Sequence, residues 1–228
     1  MQFFTEYAKR KSTTLTSVTD ASAAVDGDKS SFVNAPSAMP RLRIDLGTAQ
    51  VVDAVWAKAE QGFNLFAGDT GGSLSSIASG ISPTDGVSFH EFDNTTSYRF
   101  YELRFSGSGD IYEVKLLETL FEVPDPQGID EEPFFPIVAR ANALRHDNVS
   151  RRGGQKLRLT TEWRQLSHLD TGKIRDQWED HEQVTVALDN EAETERIWEV
   201  RITPEIGFEF SHTLPHLGRT VRLNFEEV

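Results

Sequence analysis

Arg41-Leu42-Arg43-Ile44-Asp45-Leu46-Gly47, followed after Thr48-Ala49-Gln50 by Val51-Val52-Asp53-Ala54-Val55-Trp56-Ala57, is the stretch that decides the fold class. Leu42, Ile44 and Leu46 alternate with Arg41, Arg43 and Asp45, so a strand through them has one apolar and one polar face. Gly47 and the next three residues break the alternation. The run from Val51 is more continuously apolar, as in a strand covered on both faces. Two strands joined this tightly predict the corner of an all-β domain.

Working outward, the same texture holds from Ala21 to Glu122. Turn residues fall at Asp26-Gly27, Gly71-Gly72, Asp85-Gly86 and Gly107-Ser108-Gly109. Between them the spacing predicts strands over 41–46, 51–58, 62–67, 87–92, 98–105 and 111–118, the last alternating from Ile111 to Leu116. Short strands at this spacing imply a sandwich or jelly roll. Residues 1–20 are expected to form an N-terminal arm. Its Phe3, Phe4 and Tyr7 are candidates for packing on a neighbouring subunit, because terminal aromatics are costly to leave in water.

Val123-Pro124-Asp125-Pro126-Gln127-Gly128-Ile129-Asp130-Glu131-Glu132-Pro133 holds three prolines, a glycine and four acids. Such a segment cannot continue a sheet interior, so residues 123–133 are expected to be a linker. Residues 134–228 are strand-like again, over 155–163, 183–188, 197–202, 208–210 and 220–225. The expectation is a second β-sandwich or barrel domain.

The totals narrow the function. The chain of 228 residues has 36 acidic and 23 basic side chains, a formal charge of −13. A net acidic surface disfavours nucleic acid and anionic lipid. No run approaches the roughly 18 apolar residues of a membrane span, so no membrane insertion is expected. Cysteine is absent, which excludes a disulfide framework and thiolate chemistry. The apolar residues of the first eleven precede the charged ones, the wrong order for a signal peptide. Cytoplasmic synthesis is the expectation.

Three stretches of the first half resemble the discoidin, or coagulation-factor type C, family of galactose-binding-like jelly rolls. They are Ala23-Ala24-Val25-Asp26-Gly27-Asp28-Lys29-Ser30-Ser31, Leu42-Arg43-Ile44-Asp45-Leu46-Gly47, and Tyr98-Arg99-Phe100-Tyr101-Glu102-Leu103-Arg104 with Ile111-Tyr112-Glu113-Val114-Lys115-Leu116. Phe63-Asn64-Leu65-Phe66-Ala67-Gly68-Asp69 is similar to the strand and loop between them. The resemblance covers about residues 15–122 and implies a jelly roll over 21–122. Phe32-Val33 stands where the family often has Trp, and the family's bracketing cysteines are missing. In similar jelly rolls the early loop often holds a structural calcium. The resemblance makes Asp26, Asp28 and Ser31 candidate ligands, with Glu118 of the last strand as the closing carboxylate; calcium takes six to eight oxygens. No cofactor is required by anything else in the sequence.

Other motifs carry less. Asp-Thr-Gly occurs at Asp69 and Asp170, the pairing by which aspartic proteases share a proton between two carboxylates. Lys173 stands where that loop needs a small residue, and Asp-Thr-Gly is ordinary turn chemistry. Arg151 and Arg152 open a basic cluster, suited to an acidic partner. Trp178, among polar residues, is suited to stacking on a sugar or a partner. His212 and His216 are separated by Pro215, which opposes the helix a zinc pair would need. There is no Walker loop, Rossmann fingerprint or nucleophile elbow.

The expected function is therefore non-enzymatic: a binding or assembly module. The architecture looks similar to phage tail and baseplate accessory proteins. That likeness implies a virion-associated homo-oligomer contacting other protein subunits, and glycan as a further partner. The alternative is a free carbohydrate-binding module. An aspartic-protease-like enzyme is the distant third.

Overall fold

The computed structural model describes residues 1–9, 11–16, 20–28, 30–36, 38–124, 126, 128–134, 137–141, 147–151, 156–180, 184–187, 197–202 and 219–227. The chain divides into two compact units. The first is Gln2–Phe121 with Ala187–Ile197; the second is Met1, Glu122–Val186 and Trp198–Val228.

The strands of the first unit are β1 (Gln2–Glu6), β2 (Ser12–Leu15), β3 (Val33–Ala35), β4 (Arg41–Val51), β5 (Ala54–Ala59), β6 (Phe63–Thr70), β7 (Ser73–Ile81), β8 (Val87–Glu91), β9 (Ser97–Phe105) and β10 (Gly109–Glu122). One sheet runs β1-β10-β5-β8, with β3 also paired to β10; the other runs β2-β4-β9-β6-β7. The pairs β3–β10, β5–β10, β5–β8, β2–β4, β4–β9, β6–β9 and β6–β7 are antiparallel. From β1 to β10 every connection crosses from one sheet to the other, except the β6–β7 hairpin. That is the wiring of a jelly-roll sandwich.

The alternation read from β4 sets the interior. Leu42, Ile44 and Leu46 are buried, as are Tyr101, Leu103, Val55, Ala57, Val114 and Leu116, in one core between the sheets. Ala54, Trp56, Leu117 and Val87 point the other way and form a second cluster with Phe4. The run from Val51 is thus covered on both faces, as its composition predicts.

Two expectations need correction. Residues 1–20 are not a separate arm: β1 lies beside β10 and β2 pairs with β4. Phe3 and Phe4 are fully buried, and Phe3 stacks on Phe121 at 4.5 Å. Burying a Phe is worth roughly 1.5–3 kcal/mol, so two of them hold β1 in the sandwich.

Nor is 123–133 wholly a linker. Its second half enters β11 (Gly128–Phe134). β11 pairs residue for residue with β14 (Lys156–Leu166), from Gly128↔Glu162 to Phe134↔Lys156. β11 is the terminal strand of its sheet, and an edge strand tolerates Pro133 because one side makes no ladder.

The second unit is β-rich but not purely so. With β12 (Ile137–Ala141), β13 (Asp147–Arg151), β15 (Val184–Ala187), β16 (Ile197–Ile202) and β17 (Arg219–Glu227), its main sheet runs β11-β14-β17-β16-β15, and β12 and β13 form a hairpin. Its one described helix, α1, spans His168–Asp180. Ser167 accepts the Asp170 amide at 3.0 Å and donates to the Asp170 carboxylate at 2.6 Å, a side-chain N-cap at the helix start. The Trp163 indole donates to the Pro124 carbonyl at 2.7 Å, which ties the proline segment to β14. The expected strand over 208–210 lies outside the described residues.

Candidate functional site: an aromatic platform beside an oxygen-lined loop

β3, β10 and β5 lie side by side, and their register builds two short rows of side chains. Asn34 stands opposite Asp110, and Lys58 opposite Glu113. The Asn34 amide donates to the Asp110 carboxylate at 2.7 Å. The Asp110 amide donates to the Glu60 carboxylate at 3.2 Å. In the next row Phe32, 52% exposed, meets the Tyr112 ring at 5.6 Å. The Lys58 ammonium sits 5.4 Å from the centre of that ring.

The result is an aromatic platform with an amide, two carboxylates and an ammonium around it. Phe32 and Tyr112 offer faces to a ligand's C–H groups, and the rim offers both donors and acceptors. Gln61 closes one end by donating to the Ser108 carbonyl at 2.9 Å. Its amide oxygen is buried with no hydrogen-bond partner among the described residues.

A local irregularity of β10 makes the platform. The pairing with β5 shifts between Ile111 and Glu113, a β-bulge. Ile111 and Val114 both face the core. Tyr112 and Glu113 are therefore presented on the outer side together. The clean alternation expected from Ile111 to Leu116 does not hold across the bulge.

The residue before the platform, Ser31, closes the early loop. Its hydroxyl lies 2.8 Å from the Asp26 carboxylate, 3.0 Å from the Asp28 carbonyl and 3.3 Å from the Ala23 carbonyl. A hydroxyl has one proton, so at least two of these three oxygens face oxygen lone pairs. The Gly27 amide donates to Glu113 at 3.2 Å, and the other Glu113 carboxylate oxygen is buried with no hydrogen-bond partner among the described residues. Burial pushes the Glu113 carboxyl up to about 8, against the attraction of Lys115, which pulls it down. Lys115 is itself buried, its ammonium 3.2 Å from Glu6 and 3.8 Å from Glu113.

This oxygen-rich pocket fits a hard cation such as calcium. The residues that would hold it are Asp26, Ser31 and Glu113 with the Ala23 and Asp28 carbonyls. No three carboxylate, His or Cys side chains cluster among the described residues, because most of these oxygens are main-chain or hydroxyl.

Two of the expected ligands change role. Glu118 is not at the loop: the Tyr7 hydroxyl donates to it, and the β10 carboxylate that meets the loop is Glu113, through the Gly27 amide. Burial and the neighbouring Glu118 raise the Tyr7 hydroxyl well above its ordinary range. Asp28 offers its carbonyl rather than its carboxylate, which accepts the Ser30 hydroxyl at 2.6 Å. Phe32 was legible only as a departure from the family's Trp, and nothing in the sequence paired it with Tyr112.

The remaining candidates scatter. Phe3 and Phe4 are buried and unavailable to a partner. Arg151 ends β13, and Arg152 lies outside the described residues. Trp178 is on α1 rather than in a loop. Asp69 is the penultimate residue of β6, whereas Asp170 sits in the first turn of α1, held by Ser167 and 3.3 Å from Lys173. A capped helix start is not the loop that an aspartic protease needs, so the second Asp-Thr-Gly is structural.

No protein-family model matches the chain, and no curated protein matches it. Solved structures are similar in fold. Chitosan-binding module 1 of a chitosanase/glucanase from Paenibacillus sp. IK-5 aligns over 50% of this chain and 98% of its own, with TM-score 0.44 and 14% identity. The CBM32 of AlyQ, in complex with 4,5-unsaturated mannuronic acid, aligns over 49% and 97%, with TM-score 0.44 and 24% identity. The family 32 CBM of Clostridium perfringens NanJ, in complex with galactose, aligns over 50% and 99%, with TM-score 0.44 and 18% identity.

Proposed function

We propose that the first unit is a carbohydrate-binding module, and that the chain works by binding rather than by catalysis. The observation that carries this reading is the Phe32–Tyr112 platform with Asn34, Asp110, Glu60 and Lys58 around it. A sugar presents an apolar C–H face and a rim of hydroxyls, and the site presents a matching ring surface and polar rim. The early loop supports it from beneath: a structural calcium held by Asp26, Ser31 and Glu113 fixes the residue next to Phe32.

The role as an assembly subunit has less behind it. It drew on the architecture, with Phe3, Phe4 and Tyr7 as candidate contacts to a neighbouring subunit. Phe3 and Phe4 are spent inside the fold, and Tyr7 is engaged with Glu118.

The test is a glycan array on the full chain, followed by affinity electrophoresis in the retained polymer. Phe32→Ala and Tyr112→Ala are each expected to weaken retention at least tenfold with an unchanged melting temperature. Retention that survives both substitutions would refute the platform as the site.

A further inference from the structure

The outward face of the other sheet has a charge pattern opposite to that of the chain as a whole. One register row crosses all five of its strands: Thr14 on β2, Arg43 on β4, Glu102 on β9, Phe66 on β6 and Ser76 on β7. The neighbouring row brings Arg41 opposite Arg104, and Arg104 opposite Asn64. With strands about 4.8 Å apart, one row spans about 19 Å, room for several sugar units.

Glu102 organises this face. Its side chain is only 1% exposed, yet it lies on the outer side of the sheet, beneath two arginines. Arg43 donates to it through Nε at 2.9 Å and Nη2 at 2.5 Å, and Arg104 through Nε at 2.7 Å. Burial alone would raise the Glu102 carboxyl, but Arg104 and Arg43 hold it below its ordinary range. The Arg104 guanidinium is stacked 3.6 Å above the Phe66 ring.

Each guanidinium is thus fixed by one edge. Among the described residues, Arg43 Nη1 and both Nη atoms of Arg104 make no further hydrogen bond. Arg41 adds a third cation to this face, where the carboxylates are the buried Glu102 and Asp45, the latter already paired with Arg99 at 2.7 Å, in a chain whose formal charge is −13. Fixed guanidinium forks match a carboxylate in geometry as well as charge.

We propose that this sheet face is a second binding surface, selective for a polysaccharide that carries carboxylates, with uronate units seated on Arg43, Arg104 and Arg41. The proposal rests on the reading of the unit as a carbohydrate-binding module and extends it to a different surface and a substrate class. A protein partner fits less well. The exposed large hydrophobic side chains among the described residues are Phe32, Met39, Leu120 and Leu169. On this face the large aromatic side chains Phe66 and Phe100 are half-buried, each beneath an arginine, so neither stands out as the apolar anchor of a protein interface. Thr14, Asn64 and Ser76 instead flank the cations with neutral hydrogen-bonding groups.

The experiment is affinity electrophoresis of the full chain in polygalacturonate, in neutral galactan and in dextran sulfate. The variants are Arg43→Gln/Arg104→Gln and Arg41→Gln. Arg41→Gln makes no demand on Glu102 and keeps the test valid where the double variant fails to fold. Wild type is expected to be retarded by polygalacturonate, less so as salt rises. The double variant should lose at least tenfold and Arg41→Gln about threefold, with galactan retention tracking Phe32→Ala instead.

Undiminished polygalacturonate retention in both arginine variants, or equal retardation by dextran sulfate, would overturn the proposal. If galactan binding then remained and responded to Phe32→Ala, the module reading would stand without the second surface. Polygalacturonate binding lost only in the arginine variants, with no neutral glycan bound, would support the sheet face and remove the platform.

Discussion

Glu113 is the residue on which loop, strand and site meet, and its titration can be read in solution. Burial raises its carboxyl to about 8 from an ordinary 4.5. The folded chain therefore holds this proton more tightly than the unfolded chain does. Stability is expected to fall as pH rises from about 4.5 to about 8, and to level off above that. Glu113→Gln should remove this slope and raise the melting temperature at pH 8, which thermal melts of both proteins from pH 5 to 9 will show. An unchanged slope would mean that the carboxyl titrates normally. Glu113 also shows what a single sequence conceals. Its acidic neighbours on the same strand, Glu118 and Glu122, are chemically equivalent on paper. Only the bulge after Ile111 turns Glu113 toward Gly27, and a bulge leaves no mark in an alternating run. Gly109 carries a similar constraint. Its φ is +150°, and a Cβ there would fall 2.5 Å from the Glu60 carboxylate and against the Gln61 amide. Gly109→Ala is expected to cost about 1–3 kcal/mol and to weaken glycan binding by moving Glu60.

At the scale of elements, legibility followed burial. β4, β5, β9 and β10 announced themselves because one face is apolar and the other is not. β7 did not: its sequence is Ser73-Leu74-Ser75-Ser76-Ile77-Ala78-Ser79-Gly80-Ile81, and an edge strand with few buried side chains has little pattern to show. β1 was misplaced for the opposite reason, since two adjacent aromatics fit an arm as well as a strand buried on both faces. Helix α1 was missed because Asp170-Thr171-Gly172 resembles a turn and its remaining residues are mostly polar. Its start was nevertheless written in Ser167-His168-Leu169-Asp170, a side-chain N-cap. Ser167→Ala removes the cap and is expected to destabilise the second unit by about 1 kcal/mol. Chemical denaturation followed through Trp163 will report the change, and a shift confined to the first unit would contradict this account of α1.

For the whole molecule, the outline of a sandwich was legible and the position of its site was not. The discoidin-like motifs fixed strand order and placed Asp26 and Ser31 in one loop. They could not bring Phe32 to Tyr112, because those residues are eighty positions apart in the chain and meet only through β3–β10 pairing. The cation pocket gives a prediction at this scale. Calcium is expected to raise the melting temperature of the first unit, and more so at pH 8 than at pH 6, because binding requires Glu113 as its carboxylate. Chelator should reverse the effect, and Glu113→Gln should abolish it. A melting temperature indifferent to calcium at both pH values would remove the metal and leave Ser31 as an ordinary loop closure.

The most direct test of the central claim is hydrogen–deuterium exchange on the full chain, with and without a neutral glycan that the array retains. Binding at the platform predicts slowed exchange in the peptides covering 31–35, 58–61 and 108–113, and little change elsewhere in the first unit. Protection that omits these peptides, or no protection from a glycan that is demonstrably bound, would contradict the account.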